Sequence, residues 1–361
     1  MNAFRPRSGF AAFLSPYILI LATSVGFLAG SVSCARAQKL TGAGATFPYP
    51  LYSKWFDMYH AKTGVQINYQ SIGSGGGIQQ VKAGTVDFGA TDAPLNNQKL
   101  KEMPRPVLHF PTVAGAVAVA YNLPGVTQQL KLSPENLVGI YMGKITTWND
   151  KRIAADNAGV ELPASPIQPV HRSDGSGTTY IFVSYLSDVS REWKELVGVN
   201  TSVSWPAGIG GKGNEGVAGL VRQTPGTIGY VELAYAKQNN FTVFQLKNKA
   251  GNFVTPSLGA TTAAASGAAA SLGKDVRNPI VNSPAPDAYP IAGLTYLLVY
   301  QDQKDTAKAK ALANFIEWCM TEGQAAAEGL DYAPLPPEVV QVNRTNLTRL
   351  TAQGRPVVAK K

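Results

Sequence analysis

Arg172-Ser173-Asp174-Gly175-Ser176-Gly177-Thr178-Thr179 leads straight into the apolar run Tyr180-Ile181-Phe182-Val183. Two glycines let the backbone turn tightly. Ser176, Gly177 and Thr178 stand where a helix is expected to begin, so several backbone N–H groups there have no intrahelical acceptor. Such a helix start favours negative charge. Ser176 and Thr178 add hydroxyl donors, and Arg172 adds a permanent cation suited to phosphate or carboxylate. The same residues also spell an ordinary turn followed by an ordinary cap. On this stretch alone both readings stand.

Two similar loops occur elsewhere. In Gly42-Ala43-Gly44-Ala45-Thr46-Phe47-Pro48, Pro48 fits the first turn of a helix, with Thr46 or Phe47 near the cap. Leu51, Trp55, Met58 and Tyr59 follow at helical spacing, and Gly64 stops the helix. Gly73-Ser74-Gly75-Gly76-Gly77 is expected as a loop ahead of a helix over 78–83 that stops at Gly84. Before it, Val65, Ile67 and Tyr69 alternate with polar residues, as in a half-buried strand. Three glycine/hydroxyl loops that feed helix starts suggest helix N-termini converging on one anion.

Strand-like and helix-like stretches alternate from Leu40 onward, which predicts an α/β architecture. Strands are expected over 86–90, 113–121, 167–171, 227–231 and 294–300, with a helix over 304–320. Residues 257–272, rich in Ala, Ser, Thr and Gly, read as a weak helix or an adaptable surface segment. The chain from Pro356 on reads as frayed. Each glycine loop fits the carboxyl edge of a strand, where open α/β sheets bind ligands, and Asp92 after the 86–90 strand sits at the same kind of edge.

Arg5 and Arg7, the apolar stretch 11–30 and Ala35-Arg36-Ala37 form a secretory signal pattern, with residues 1–37 removed and Gln38 first in the mature chain. A retained anchor and lipid attachment at Cys34 are the alternatives. Removal takes away three arginines and no acids, so the formal charge falls from +9 to +6. No dense Lys/Arg block remains, which argues against nucleic acid as a partner. Cys319 would be the one remaining cysteine, so no intrachain disulfide is expected and the core alone must stabilise an exported chain. Its neighbours Phe315, Ile316, Trp318 and Met320 predict a buried thiol.

Rival chemistries have weaker support. Gly208-Ile209-Gly210-Gly211-Lys212-Gly213 matches a dinucleotide fingerprint, but it follows Trp205-Pro206 instead of a clear strand. It reads better as a helix-leading loop near the domain cleft, with Asn214 as cap. Ser176 invites a hydrolase reading, yet Asp174 stands where the nucleophile elbow needs glycine. The three histidines are scattered: His60 on an amphipathic helix, His109 in an apolar strand, and His171 on the strand face opposite Arg172. No metal-ligand spacing is visible.

Taken together, these motifs closely resemble the periplasmic phosphate-binding proteins of high-affinity phosphate ABC transporters. The likeness runs from Leu40-Thr41-Gly42-Ala43-Gly44-Ala45-Thr46-Phe47-Pro48 to Leu330-Asp331-Tyr332. It includes Val86-Asp87-Phe88-Gly89-Ala90-Thr91-Asp92-Ala93-Pro94, Asp174-Gly175-Ser176-Gly177-Thr178, Gly210-Gly211-Lys212-Gly213-Asn214 and Pro225-Gly226-Thr227-Ile228-Gly229-Tyr230-Val231-Glu232. The resemblance implies a two-lobed, type II-like binding protein, each lobe a mixed sheet flanked by helices, with the ligand in the cleft between them. Lobe I would be 38–120 plus 290–361 and lobe II 121–289. It implies phosphate contacts from Thr46 (hydroxyl and backbone), the Phe47 backbone, Ser74, Asp92, Arg172, Ser176, and the backbone of Gly177 and Thr178, with Asp174 bracing Arg172. It also implies a periplasmic monomer that is no enzyme, uses no cofactor or metal, and serves ABC permease subunits of the inner membrane. One departure is visible: a serine often follows the residue matching Ser74, and here Gly75 does.

Asp92 has a physical role in that setting. A carboxylate repels an anion, but it is a pure acceptor and so suits a ligand that keeps a proton. Phosphate at neutral pH keeps at least one P–OH and sulfate has none, so an ionised Asp92 would reject sulfate by leaving two like charges face to face. The alternative is that Asp92 only caps the turn before Pro94. An exported phosphatase remains the rival function; it needs a nucleophile with a base or metal, which no motif supplies.

Overall fold

Short apolar runs bounded by glycine, proline and capping residues set the element order in this computed structural model, which describes residues 38–358. The signal pattern, its cleavage motif and Cys34 lie outside the described residues. Strand β1 (Lys39–Gly44) leads to helix α1 (Tyr49–Thr63), then β2 (Gln66–Ser71), α2 (Gly73–Ala83) and β3 (Phe88–Thr91). Strand β4 (Val107–Asn122) is 16 residues long and buried throughout except at Asn122. The middle of the chain supplies β5 (Gln168–Arg172), α3 (Gly177–Val189), β6 (Ile209–Gly211), α4 (Gly213–Gln223) and β7 (Thr227–Glu232). Strand β8 (Ala292–Tyr300) and helix α5 (Thr306–Met320) follow.

These strands form one mixed sheet in the order β2-β1-β3-β8-β4-β7-β5-β6. β1 runs parallel to β2 and β3, and β5 runs parallel to β6 and β7. β8 and β4 are antiparallel to their neighbours. Residues 107–116 of β4 pair with β8 and residues 117–122 pair with β7, so one strand belongs to both halves of the sheet. The first half is built from the two ends of the chain and the second from its middle. The carboxyl ends of β1, β2, β3, β5 and β6 each open into a loop or helix start, which is where parallel strands place ligand loops.

Aromatic clusters stabilise each half. Tyr52, Trp55, Phe56 and Tyr59 of α1 pack with Tyr69, Phe88, Phe315 and Trp318. On the other side Tyr141, Phe182, Trp205 and Tyr230 pack together, Tyr230 stacked on Phe182 and Trp205 and Tyr141 edge-on to Phe182. Each such side chain contributes roughly 1.5–3 kcal/mol when fully buried. Cys319 is buried and free, and burial pushes its thiol well up, as expected for a packing residue.

Several expectations change. The Gly73–Gly77 run is not a loop: it forms the first turns of α2. Tertiary packing overrides glycine's poor helix propensity here, because a Cβ on Gly77 would lie 2.5 Å from Gly44 Cα and 2.7 Å from the Ala43 oxygen. The 304–320 helix starts at Thr306, since Asp302–Gln303 pairs as a strand with Thr351–Ala352 and Asp305 caps the helix. Asn214 is not a cap: Lys212 holds the cap position and Asn214 lies inside α4. The Ala-rich segment forms helices Leu258–Gly267 and Ala269–Lys274, with Ala260, Ala264, Ala265 and Leu272 buried. Pro356 itself lies in a short strand paired with Thr351–Ala352, and residues 359–361 of the stretch expected to fray lie outside the described residues.

Glycine in α2 and glycine in α4 should therefore respond oppositely to alanine. Gly77→Ala forces backbone apart and should destabilise by about 1–3 kcal/mol in urea unfolding. Gly219, in the interior of α4 with nothing within 4 Å of an added Cβ, should gain up to about 1 kcal/mol as alanine.

Candidate functional site

Arg172 ends β5, and its N–H donates to Tyr230 Oη at 3.0 Å. The guanidinium is buried, with a side chain only 1% exposed. Its Nε and Nη2 donate to the two Asp174 oxygens at 2.7 and 2.6 Å, a bidentate pair. Nη1 points instead to Thr178 Oγ1 at 3.3 Å. Asp174 also accepts the Gly213 N–H at 3.0 Å. Burial alone would raise the Asp174 carboxyl, but the bonds and charge of Arg172, with the Gly213 N–H, outweigh it and hold it below its ordinary value.

Helix α3 begins beside this pair. Ser176 is its N-cap, and Ser176 Oγ accepts the Thr179 N–H at 3.0 Å. Gly177 and Thr178, as the first helical residues, have N–H groups without intrahelical acceptors. A Cβ on Gly177 would fall 2.5 Å from Ser74 Oγ and into Asp92 Oδ2, so only glycine lets the helix start come this close. The Gly75 N–H donates to the Gly175 oxygen at 2.7 Å, tying the second loop to the first.

The Thr46–Phe47 turn is held from behind by its carbonyls. Tyr235 Oη donates to the Thr46 oxygen and Tyr332 Oη to the Phe47 oxygen, both at 2.7 Å. The Phe47 ring is fully buried against Tyr332, so of Phe47 only backbone can serve a ligand. Ser74, second residue of α2, accepts the Asp92 N–H on its Oγ at 3.2 Å. Asp92 follows β3 directly. Its Oδ1 accepts from Thr295 Oγ1 at 2.7 Å, whereas its Oδ2 is buried without a partner among the described residues. Burial pushes the carboxyl up to about 7, held back by the Thr295 bond, the Arg172 charge and Ser74.

Thr46, Phe47, Ser74, Asp92, Arg172, Ser176, Gly177 and Thr178 are thus gathered into one buried cluster, with Asp174 half-buried at its edge. Asn214 completes it, with Nδ2 on both Thr46 and Thr178 hydroxyls. The sequence patterns do not place Thr295 there, and they put Asn214 near the cleft only as the cap of a loop. A threonine inside the otherwise apolar β8 is the visible hint for the first; the glycine run ahead of Asn214 is the hint for the second. Glu232 stands behind the cluster, its Oε2 accepting from the Ala234 N–H at 2.8 Å and lying 2.8 Å from Tyr332 Oη, and burial pushes it well above the usual carboxylate range.

The histidines sit elsewhere. His109 Nε2 accepts the Leu95 N–H at 2.9 Å in the core, and burial lowers it to about 3. His171 stacks on Trp205 with centroids 4.8 Å apart, and His60 is exposed on α1. Among the described residues no three His, Cys, Asp or Glu side chains are grouped to hold a metal ion. The cluster offers hydroxyl, N–H and guanidinium donors around one buried acceptor, a composition suited to holding an oxyanion that still carries a proton.

Known proteins resemble this chain in sequence and in fold. Residues 30–322 match the family model of the PBP superfamily domain. The phosphate-binding protein PstS of Xylella fastidiosa (strain Temecula1) is 48% identical over 312 residues, covering 86% of this chain and 85% of that protein. PstS of Pasteurella multocida (strain Pm70) is 48% identical over 307 residues, 85% and 89% of the two chains. A solved high-affinity periplasmic phosphate-binding protein, PfluDING with bound phosphate, shares the fold at a TM-score of 0.66 and 23% identity, over 89% of this chain and all of that one. The chain belongs to the PBP superfamily and, within it, to the family of the phosphate-binding proteins PstS.

Proposed function

We propose that this protein is a periplasmic receptor that captures inorganic phosphate and delivers it to the permease subunits of an ABC transporter. The observation that carries this reading is the buried Asp92 Oδ2, without a partner among the described residues, beside Ser74 Oγ at the start of α3, the helix start that also carries Thr178 with its links to Arg172 Nη1 and, through Asn214, to Thr46. Bare phosphate oxygens take the donors. The P–OH donates to Asp92 Oδ2, the one acceptor. Sulfate meets the same donors but brings no proton, and faces the ionised carboxylate instead.

The proposed lobes are 38–120 with 290–361, and 121–289, closing around the anion. The sheet supports this division, since its two halves draw on those segments and join through β4. Export follows from the signal pattern of residues 1–37. The protein acts as a monomer and catalyses no reaction: Ser176 Oγ is engaged as a cap, and its side chain has no base among its partners. Calorimetry of the mature protein should show a single phosphate bound at micromolar Kd or tighter, about −8 kcal/mol. Absence of saturation below millimolar phosphate would overturn the proposal. Turnover of a chromogenic phosphate ester would favour the phosphatase reading.

Two further outcomes follow from the site. Arg172→Lys keeps the charge but loses the planar fork that Asp174 braces, and should weaken phosphate binding by about 1.5 kcal/mol or more, roughly tenfold. The Asp92 carboxyl is raised to about 7, so it is neutral below that pH and charged above it. Rejection of sulfate should therefore be fullest above about pH 7 and erode as pH falls through it. In Asp92→Asn the phosphate-to-sulfate affinity ratio should be lower and this pH dependence absent. Competition titrations on both proteins check the two statements.

A further inference from the structure

The amide of Asn214 has only one orientation. Its Oδ1 lies 2.9 Å from the Glu232 N–H, which can only donate, so oxygen must stand there and Nδ2 must face the opposite way. Nδ2 donates to Thr46 Oγ1 at 2.8 Å and to Thr178 Oγ1 at 3.1 Å. Thr46 Oγ1 accepts a second bond from the Asn214 backbone N–H at 3.2 Å. Thr178 Oγ1 accepts its second from Arg172 Nη1 at 3.3 Å. All five residues are buried.

A hydroxyl has two lone pairs and one proton. Both threonine oxygens have spent both lone pairs inside the protein, and each retains a proton to give. Resting on the phosphate reading above, we propose that Asn214 is a positioning and specificity residue that makes Thr46 and Thr178 donors only. Neither threonine then has a lone pair left for a P–OH. The single proton of a monohydrogen phosphate is thereby directed to Asp92, and bare oxygens to the two threonines. Asn214 touches no ligand; it acts through the two hydroxyls. It also joins residues 168 positions apart, so the proton arrangement exists only when the first and middle segments of the chain meet.

The test is equilibrium dialysis with radiolabelled inorganic phosphate above neutral pH, with folding followed by thermal melting. Asn214→Asp keeps the side-chain shape but replaces the Nδ2 donor by an acceptor, which turns both hydroxyls inward; its Kd should rise about a hundredfold or more, since two charge-assisted bonds to the ligand are lost. Asn214→Ala should raise Kd about tenfold by releasing the hydroxyls. That effect should shrink when Asn214→Ala is introduced into Thr46→Val, because half of what Asn214 organises is already gone. A merely structural role lowers the melting temperature of each variant without that non-additivity in Kd. Asn214→Asp binding phosphate within about threefold of wild type, or fully independent effects of Asn214→Ala and Thr46→Val, overturns the assignment. If the alanine variant does not fold, the same cycle is run with Asn214→Asp and Thr46→Val, since plain charge repulsion adds independently of Thr46 whereas lost hydroxyl orientation does not. Wild-type protein that does not bind phosphate overturns the functional reading itself, a separate result.

Discussion

A buried guanidinium must be held, and the way Arg172 is held organises the rest of the site. Asp174 takes Nε and Nη2, which leaves Nη1 directed toward Thr178. Asp174 in turn takes the Gly213 N–H, so the same pair fixes the start of α4 relative to the start of α3. Removing one member of such a pair leaves an uncompensated buried charge, at a cost of roughly 3–5 kcal/mol. The pair also has an electrostatic consequence. Arg172 and Asp174 cancel formally, and an ionised Asp92 makes the cluster net negative. Attraction for an anion therefore cannot rest on net charge. In the proposed site it rests on aimed dipoles: helix N-termini, backbone N–H groups and hydroxyls whose lone pairs are already used.

This arrangement depends on close approach of backbone. The start of α3 reaches Asp92 and Ser74 because residue 177 has no Cβ, and α2 lies on β1 and β3 because residue 77 has none. The carboxyl ends of parallel strands from both halves of the sheet face the same cluster, and β4 joins those halves as one continuous buried strand. Function is thus set by where strands end, with the side chains of the loops completing a geometry that the sheet defines.

Much of this is legible in the sequence because its signals are local. Glycines beside Ser and Thr ahead of an apolar run announce a helix start within a few residues, and Arg172 and Asp174 lie within the same loop. The strands around β7 and β8 are short apolar runs with glycine nearby, and they lie within two residues of where spacing places them. Contacts set by tertiary structure are not legible. Asn214 meets Thr46 across 168 positions and Thr295 meets Asp92 across 203. Nothing in either local pattern names its partner. The Gly73–Gly77 run reads as loop from its poor helix propensity, and the packing that rewards a helix there comes from β1 and β3. Likewise β4 begins at Val107, six residues before the expected start, because its first half is defined by pairing with β8.

The central claim is that a buried carboxylate at position 92 receives the ligand's proton while all other contacts donate. A structure of the protein with phosphate, at a resolution that locates hydrogens, tests it most directly. The expected result is an Asp92 Oδ2 to phosphate oxygen distance of about 2.5–2.7 Å, as in a charge-assisted O–H···O bond, with no proton on the oxygens facing Thr46 and Thr178. An anion seated away from Asp92, or an Asp92 turned onto protein donors alone, would contradict it.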